Sequence, residues 1–216
     1  MIRVAVAGAS GKVGRAVCAA VSDAPDLELA GEADPALGVS LEDVLGDADV
    51  VVDFTRPDAA IPNARACVAA GVHIVIGTTG FSVDELRDAV AGGPGRAFLA
   101  PNFAIGAVLM MRFAAEASRH MQSAEIIEFH NPLKLDSPSG TAKRTAELMD
   151  GEVPIHSVRL PGVVADQEVV LGDVGQTLRI THVTTDRMAF TPGVLLAVRR
   201  VGSLSDPLTV GLEHLL

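Results

Sequence analysis

The chain has no tryptophan and no tyrosine, and aromatic residues make up only 3% of its 216 residues. Proteins that stack nucleobases, build aromatic cages or anchor at a membrane interface rely on such side chains, so the composition argues against those sites. Basic residues are also scarce, because 17 Lys and Arg stand against 27 Asp and Glu and give a formal net charge of −10. Phosphate neutralisation needs a basic surface, and we therefore expect no nucleic-acid partner.

Long apolar runs and cysteines are few as well. The longest runs, such as residues 50–52 and 194–198, are too short to cross a bilayer, so we expect no membrane segment. The N-terminal residues lack the long apolar stretch of a signal peptide, which favours a cytoplasmic protein. Cys18 and Cys67 lie in alanine-rich helical stretches without metal or redox spacing, and we expect two buried, reduced thiols. No histidine pair has the spacing of a metal site, so we expect no metal.

Strand-like and helix-like segments alternate over the first hundred residues. The strand-like segments are rich in Val, Ile and Ala, and the segments between them are helical in period and length. Such alternation predicts a parallel sheet covered by helices on both faces. The predicted strands are residues 2–7, 27–33, 49–54, 73–76 and 97–100, and the predicted helices are residues 12–24, 57–70 and 83–91.

The pattern changes after residue 101 and predicts a second domain of the α+β class with a mostly antiparallel sheet. A last apolar segment, residues 188–201, predicts a helix interrupted by Pro192 and Gly193 that packs on the first domain. We therefore predict a first domain of residues 1–102, completed by residues 191–216, and a second domain of residues 103–190. In that second domain we predict helices over residues 105–121 and 141–149 and strands over residues 125–130, 155–160, 168–171 and 177–183.

A glycine-rich turn joins the first predicted strand to the first helix. Glycines let a turn approach a pyrophosphate, which the N–H groups at the start of the helix stabilise. Asp34 follows twenty residues after the last of these glycines, where a carboxylate can accept hydrogen bonds from ribose hydroxyls. A plain tight turn is the alternative, but this combination predicts a Rossmann-type, doubly wound sheet that binds a nicotinamide dinucleotide. The turn reads Gly8, Ala9, Ser10, Gly11, Lys12, Val13 and Gly14.

The choice of dinucleotide is less sharply specified. Asp34 is followed by Pro35 and not by an arginine that could bind a 2′-phosphate, which favours NADH. Lys12 and Arg15 favour NADPH, because either cation could reach that phosphate. We predict that both dinucleotides are used and that NADH is preferred.

Two further turns follow the fourth and fifth predicted strands. Open α/β sheets bind ligands at the carboxyl ends of their strands, where these turns must lie. We predict contacts with the nicotinamide ribose there, although ordinary turns would need no such role. The residues concerned are Gly77, Thr78, Thr79, Ala100, Pro101, Asn102 and Phe103.

The segment after residue 125 brings together an imidazole, an ammonium and a small-residue turn. A predicted strand ends at His130, Lys134 lies in the loop, and Ser139, Gly140 and Thr141 open a helix whose N–H groups can hold a carboxylate. Residues 130–144 contain three basic residues against one acidic residue, in a chain of charge −10. This pattern predicts a small anionic substrate with a proton donor beside it. For either charged residue alone, a strand end or a solvated loop residue is the simpler interpretation.

Five motifs are spread over nearly the whole chain. They are the glycine turn, Val52-Asp53-Phe54-Thr55, Gly77-Thr78-Thr79-Gly80-Phe81, Ala100-Pro101-Asn102-Phe103 and Lys134-Leu-Asp-Ser-Pro-Ser-Gly-Thr141. Together they resemble the dihydrodipicolinate reductase family of the diaminopimelate route to lysine. The resemblance implies reduction of 4-hydroxy-tetrahydrodipicolinate, by way of dihydrodipicolinate, to tetrahydrodipicolinate with NADH or NADPH. It also implies that the second domain binds this small dicarboxylate substrate and that its sheet builds a homotetramer.

By this resemblance His130 is the general acid, Lys134 is the catalytic lysine, and the turn at residues 139–141 binds a substrate carboxylate. The chain departs from the family where a second histidine is often found, since Asn131 stands there and becomes a predicted substrate contact. Gln167 likewise replaces the histidine of a Gly-x-His segment, and several loops are shorter. Two alternatives follow, a related reductase with an altered substrate and a non-catalytic dinucleotide sensor. Glu125 and Glu128 are interpreted as the polar face of a strand.

Overall fold

The computed structural model describes all 216 residues and divides into two compact units. One unit combines Met1–Phe103 with Phe190–Leu216, and the other is Ala104–Ala189. In chain order the elements are β1 (Ile2–Ala7), α1 (Lys12–Asp23), β2 (Leu27–Ala33), α2 (Leu41–Leu45), β3 (Val50–Asp53), α3 (Pro57–Ala69), β4 (His73–Ile76), α4 (Val83–Val90), β5 (Ala97–Leu99), α5 (Ile105–Ser118), β6 (Ser123–His130), α6 (Gly140–Leu148), β7 (Ile155–Arg159), β8 (Ala165–Asp173), β9 (Gln176–Thr184), α7 (Thr191–Arg200) and β10 (Leu208–Val210).

The first unit is built on a parallel sheet of six strands in the order β10-β5-β4-β3-β1-β2. Successive side chains of a strand point to opposite faces. Ala5, Val51 and Ile74 pack in one cluster with residues of α2, α3 and α4, whereas α1 and α7 contact each other and α7 contacts β3 and β4. Helices therefore cover both faces of the sheet, and the predicted fold class is confirmed.

The strands of this sheet end in register, which fixes where the turns lie. β2 lies on one side of β1 and β3 lies on the other side, so the strand order reverses between β1 and β3. A crevice at such a reversal is where open α/β sheets bind their ligands. The residues paired at the carboxyl edge are Ala7, Ala33, Asp53, Ile76 and Leu99.

The C-terminal segment differs from its prediction. Pro192 lies in the first turn of α7, which begins at Thr191, so it starts the helix where an interruption was expected. Proline suits that position because the first N–H groups of a helix have no partner within the helix. The three-residue strand β10, which was not predicted, then pairs with β5 and becomes the sixth strand of the sheet.

The second unit contains a mixed sheet of four strands in the order β7-β6-β8-β9. The pairs β6–β8 and β8–β9 are antiparallel, whereas β6 and β7 are parallel. Residues of α5 and α6, with Met149, pack on one face of this sheet. No helix of this unit covers the other face. The buried cluster contains Ala114, Ile126, Ala142, Met149, Val169 and Leu171.

Both cysteines are free and buried in the first unit. Burial raises the pKa of the Cys18 thiol to about 11 and that of the Cys67 thiol to about 12, so both are poor nucleophiles near neutral pH. None of the seven α-helices has the length and apolar character that crossing a bilayer requires. No cluster of three or more His, Cys, Asp or Glu side chains is arranged to hold a metal ion.

Candidate active site

The glycine-rich turn after β1 is packed so tightly that side chains cannot be added at its two ends. Gly8 has a φ of +81°, and a Cβ on it would lie 2.4 Å from the carbonyl oxygen of Phe54. A Cβ on Gly14 would lie 2.1 Å from the carbonyl oxygen of Gly8. Both obstacles are backbone atoms, which cannot rotate away. These glycines therefore bring the start of α1 against the end of β1.

No side chain caps the N-terminus of α1, and no acidic residue lies in its first turn. Ser40, Ser82 and Ser139 cap the N-termini of α2, α4 and α6, whereas α3, α5 and α7 have no side-chain cap, like α1. An uncapped helix start with N–H groups directed outward is a site for an anion such as a pyrophosphate. The local structure thus suits a dinucleotide at this turn.

The Asp34 carboxylate lies beside that turn. Its Oδ2 accepts a hydrogen bond from the Ser10 N–H at 3.2 Å, and its Oδ1 accepts one from the Ala36 N–H at 2.9 Å. Hydrogen bonds from Ser10 and Ala36 lower the pKa of Asp34, so the group is a carboxylate at neutral pH. An ionised carboxylate is an acceptor for ribose hydroxyls and repels a 2′-phosphate.

A cleft of about 860 Å³ adjoins the turn and Asp34, between the loops that follow β1, β2 and β3. Its volume falls within the range of small-molecule sites in proteins. Arg56 and Asn63 also line it, which sequence reasoning did not anticipate. The Arg56 side chain is largely exposed and forms an ion pair with Asp58 at 3.0 Å. A third cation besides Lys12 and Arg15 therefore lies near the dinucleotide turn.

The buried carboxylate of Asp53 organises the turn after β4. Its Oδ1 accepts hydrogen bonds from the Thr55 N–H at 3.0 Å, the Thr55 hydroxyl at 2.8 Å and the Thr78 hydroxyl at 2.8 Å. Its Oδ2 accepts one from Asn63 Nδ2 at 2.7 Å. Thr78 is buried by this contact, and the Gly77 N–H donates to the Asp53 carbonyl oxygen at 2.9 Å. Asp53 therefore connects the strand end, the cleft wall and a predicted cofactor turn.

The turn after β5 is anchored by a buried aromatic ring. The Ala100 N–H donates to the Ile76 carbonyl oxygen at 3.1 Å, which extends the sheet by one residue. The Phe103 ring is 2% exposed and packs edge to face on Phe54, with ring centroids 5.9 Å apart, and beside Phe98 at 6.3 Å. Phe103 thus anchors the turn by packing, and almost none of the residue is exposed to a ligand.

The predicted cofactor residues of the first unit all lie at one edge of its sheet. They follow strands whose last residues are paired in register, so their backbone atoms line a common edge. Thr79 and Pro101 are exposed there, whereas Ala9, Gly14, Thr78, Ala100 and Phe103 are buried.

In the second unit, His130 ends β6 and contacts a buried carboxylate. Its Nδ1 forms a hydrogen bond with Glu128 Oε2, and the Glu128 side chain is fully buried. Burial lowers the pKa of His130, and the charges of Lys134 and Arg159 lower it further, while Glu128 opposes them. The net direction is below the usual range, so the free imidazole is mostly neutral at neutral pH. His130 and Lys134 are therefore close enough for their charges to interact.

The loop after β6 is held by hydrogen bonds of its own backbone and by Arg159. The Asn131 Oδ1 accepts from the Leu133 N–H at 3.1 Å, so the Nδ2 of Asn131 is its remaining polar group. The Lys134 ammonium lies 2.8 Å from Asp136 Oδ1. Arg159 donates to the Asp136 carbonyl oxygen at 2.8 Å and thereby ties the loop to β7.

The small-residue turn opens α6 as the sequence predicts. The buried Ser139 hydroxyl accepts a hydrogen bond from the Ala142 N–H at 3.2 Å and caps the helix. The Thr145 hydroxyl donates to the Thr141 carbonyl oxygen at 2.8 Å. Gly140 is exposed at the first position of the helix. The start of α6 is therefore exposed at Gly140, and a helix start of this kind can hold a carboxylate.

Gln167 lies in β8 directly opposite Glu128 of β6, on the face that the helices cover. Its Nε2 donates to the Thr145 hydroxyl at 2.8 Å, while its buried Oε1 has no protein partner. Gln167, which stands where the family often has histidine, therefore connects the sheet to α6.

The interpretation of Glu125 and Glu128 as one polar face is wrong. Residues three apart in a strand point to opposite faces. Glu125 is exposed and pairs with His156 at 2.8 Å, whereas Glu128 is buried between His130 and Arg159. The odd spacing alone was a signal that one of the two carboxylates faces the helices.

Comparison with known proteins matches both parts of the chain to one family. The family model described as "Dihydrodipicolinate reductase, N-terminus" matches residues 2–103, and "Dihydrodipicolinate reductase, C-terminus" matches residues 106–216. The 4-hydroxy-tetrahydrodipicolinate reductase of Nocardia farcinica is 48% identical over 246 residues, which cover 100% of this chain and 98% of that protein. The corresponding protein of Mycolicibacterium smegmatis is 45% identical, with 100% and 99% covered.

A solved structure agrees with these sequence matches. The dipicolinate-bound dihydrodipicolinate reductase of Paenisporosarcina sp. TG-14 superposes with a TM-score of 0.87 at 32% identity and covers 100% of both chains. A probable dehydrogenase of Thermotoga maritima, at 14% identity and a TM-score of 0.69, shares the fold alone. The chain belongs to the dihydrodipicolinate reductase family.

Proposed function

We propose that this protein is an NAD(P)H-dependent oxidoreductase that reduces 4-hydroxy-tetrahydrodipicolinate, by way of dihydrodipicolinate, to tetrahydrodipicolinate on the diaminopimelate route to lysine. The observation that carries the proposal is the segment of residues 130–141, where an imidazole, an ammonium and a helix start follow one another in an acidic chain of the reductase family. A small dicarboxylate is the substrate class that such a loop suits.

The first unit supplies the dinucleotide site in this proposal. The pyrophosphate lies at the uncapped start of α1, in contact with the backbone of residues 8–14, and Asp34 accepts hydrogen bonds from the adenosine ribose. The turns at residues 77–79 and 100–103 contact the nicotinamide half. The bound dinucleotide supplies the hydride. The close backbone packing at Gly8 and Gly14 and the 860 Å³ cleft support the fit.

We infer that NADH is preferred and that NADPH is also used. The Asp34 carboxylate repels a 2′-phosphate and hydrogen-bonds a 2′-hydroxyl, which favours NADH. Lys12, Arg15 and Arg56 are exposed cations of the same region and can offset that repulsion.

The second unit supplies the substrate site. The N–H groups of Gly140 and Thr141 hold one substrate carboxylate, and the amide of Asn131 contacts the substrate where relatives use histidine. Lys134 neutralises the negative charge that develops during reduction. To reach the substrate, its ammonium must exchange the Asp136 carboxylate, 2.8 Å away, for a carboxylate of the substrate.

His130 is the general acid in this scheme. When hydride adds to the conjugated ring, the electron pair displaced from the unsaturated system takes up a proton, and the imidazolium of His130 donates it. The negative charge of a bound dicarboxylate favours the protonated imidazole, which offsets the effect of burial on the free protein. Substrate binding thus increases the protonated fraction of His130.

We further propose that the protein assembles as a homotetramer through the face of the second sheet that α5 and α6 leave uncovered. Strand alternation brings Ile127, Phe129, Val158, Val170 and Val183 to that face, and Val183 is 57% exposed. These apolar side chains lie beside the ion pairs Glu125–His156 and Glu168–Arg179 on the same face, and such a mixed surface suits contact with a second copy of the chain. Light scattering should give about four times the chain mass of 22.3 kDa, and Val183→Lys should lower it.

The direct test is oxidation of NADH by the purified chain, followed by absorbance, with substrate generated in place by a dihydrodipicolinate synthase. Oxidation that requires the synthase product supports the reductase, and NADPH in parallel ranks the dinucleotides. NADH binding without oxidation would favour the sensor, and oxidation with a different cyclic imine would favour an altered substrate. We place the reaction in the cytoplasm, where its dinucleotides are found, and fractionation of cells tests that assignment.

A further inference from the structure

The Glu128 carboxylate is the one fully buried charged group of the second unit, and no step above uses it. A buried carboxylate is costly unless it is paired and hydrogen-bonded. Here Oε1 accepts from Arg159 at 3.0 Å, Oε2 contacts His130 Nδ1, and Ser157 lies opposite Glu128 on the paired strand β7. The protein therefore stabilises a negative charge directly behind the residue assigned as the acid.

The protonation state of Glu128 determines which nitrogen of His130 can react. Burial by itself would raise the pKa of Glu128, but hydrogen bonds from Arg159, Ser157 and His130 bring it below the usual range, so the group is ionised. An ionised carboxylate has no proton to donate, and the hydrogen between the two groups must therefore reside on Nδ1. Nε2 is then the only ring nitrogen that can gain and deliver a proton.

Arg159 links this pair to the loop that carries the lysine. Its guanidinium donates to the Glu128 carboxylate and also to the Asp136 carbonyl oxygen, at 3.0 and 2.8 Å. The side chain is 21% exposed, so both contacts are partly shielded from water. One guanidinium thus fixes both the strand that ends in His130 and the loop that positions Lys134.

We propose that Glu128 is a positioning residue that fixes the tautomer of His130 and stabilises its imidazolium, and that Arg159 holds Glu128 in place for this role. The inference rests on the proposed function, since it takes His130 as the proton donor. It extends that function by explaining how a partly buried imidazole is kept able to take up a proton at Nε2.

The charged groups that surround His130 determine the expected effect of removing the Glu128 charge. On its own strand the neighbour is Glu128, on β7 it is Arg159, and on the following loop they are Lys134 and Asp136. Burial, Lys134 and Arg159 lower the pKa of His130, whereas Glu128 raises it. Without the Glu128 charge, His130 should titrate at lower pH than in the wild-type protein.

The test compares Glu128→Gln with Glu116→Gln. Glu116 is exposed on α5 and, like Glu128, contacts one arginine and one histidine, Arg119 at 2.9 Å and His120 at 3.5 Å. In Glu128→Gln, the His130 imidazole resonance should titrate at lower pH in NMR, with its assignment given by loss of the signal in His130→Asn. The kcat should fall roughly tenfold to hundredfold, since general acid catalysis contributes about that much or more. The KM for NADH should be unchanged, and Glu116→Gln should match the wild type in every measurement.

The proposal is overturned if His130 titrates in Glu128→Gln as it does in the wild type, or if kcat falls no more than in Glu116→Gln. If Glu128→Gln does not fold, Glu128→Asp is tested in its place. The shorter side chain keeps a negative charge beside Arg159, but its carboxylate lies farther from His130 Nδ1. It should shift the titration in the same direction, and an unshifted titration would count against the proposal. If the wild type reduces no substrate, the proposed function fails, yet the NMR titration still shows whether Glu128 controls His130.

Discussion

The Asp53 carboxylate is completely buried at the end of β3 and accepts four hydrogen bonds. In Asp53→Ala, the buried Thr78 hydroxyl loses its acceptor away from solvent, and the amide of Asn63, which lines the cleft, loses its acceptor too. Hydrogen bonds to a charged group are worth about 1.5–3 kcal/mol each, and their losses are not additive. We therefore expect the free energy of unfolding to fall by about 4 kcal/mol, a loss that lowers the Tm by roughly 10 °C in a chain of this length.

Asp53→Asn should cost less, and a second substitution should recover part of that loss. The new amide oxygen can accept the three donors that Oδ1 now serves, so we expect a loss of about 1–2 kcal/mol. The new amide nitrogen would face Asn63 Nδ2, so the Asn63 amide must rotate and offer its neutral oxygen, which is a weaker acceptor than a carboxylate. In the double variant Asp53→Asn with Asn63→Asp, a donor and an acceptor face each other again, and the Tm should rise above that of Asp53→Asn.

Thermal unfolding followed by circular dichroism measures these differences, and NADH titration shows whether the turn with Thr78 is disturbed. Asp88→Asn, an exposed carboxylate on α4, is the matched control and should stay within about 0.5 kcal/mol of the wild type. If Asp53→Ala unfolded at the same temperature as that control, the four hydrogen bonds would contribute nothing measurable to stability, and the reasoning would be refuted.

Three further outcomes are expected. Because His130 acts as an acid and burial lowers its pKa in the free protein, kcat/KM should fall as pH rises through a pKa below the usual histidine range. Bound substrate favours the imidazolium, so kcat should fall only at higher pH than kcat/KM. If kcat and kcat/KM fell at the same pH in a pH-rate series, this prediction would be contradicted. Gly14→Ala places a Cβ 2.1 Å from the Gly8 carbonyl oxygen, which is a severe clash, whereas the Cβ of Gly11→Ala lies 3.1 Å from the same oxygen, which is a mild one. Fluorescence titration should therefore show a larger loss of NADH affinity for Gly14→Ala than for Gly11→Ala, and the reverse order would be inconsistent with the packing. Asp34→Asn removes the charge that repels a 2′-phosphate and should raise the NADPH-to-NADH ratio of kcat/KM by about tenfold, while an unchanged ratio would exclude Asp34 as the selecting group.

The first unit could be predicted closely because its longer helices show their period and its short strands are continuous apolar runs. The elements missed were α2, whose five residues are too few for a helical period to emerge, and β10, whose Leu-Thr-Val sequence is not a continuous apolar run as in the equally short β5. For α2 a signal existed, since Ser40 and Asp43 form a capping box. The start of α7 was misjudged because Pro192 was interpreted as a break, although proline is equally suited to the first turn of a helix.

In the candidate site, the residues with distinctive chemistry were identifiable, but their supporting groups were not. His130 and Lys134 stand out in a loop by residue type alone. The roles of Glu128 and Arg159 depend on which strands are neighbours, because β6 and β7 pair in parallel and bring His130 opposite Arg159. Gln167 likewise lies beside Glu128 only through the antiparallel register of β6 and β8. Strand pairing is a tertiary property that local sequence does not encode.

The central claim is that this chain transfers hydride from a nicotinamide dinucleotide to a cyclic dicarboxylate. Mass spectrometry of the product formed from NADH that carries deuterium at both positions of the nicotinamide C4, with substrate supplied by dihydrodipicolinate synthase, tests it most directly. The account predicts tetrahydrodipicolinate that carries one deuterium, and markedly less product when His130 is replaced by Asn. Product without deuterium, or no product from a folded chain that binds NADH, would contradict it.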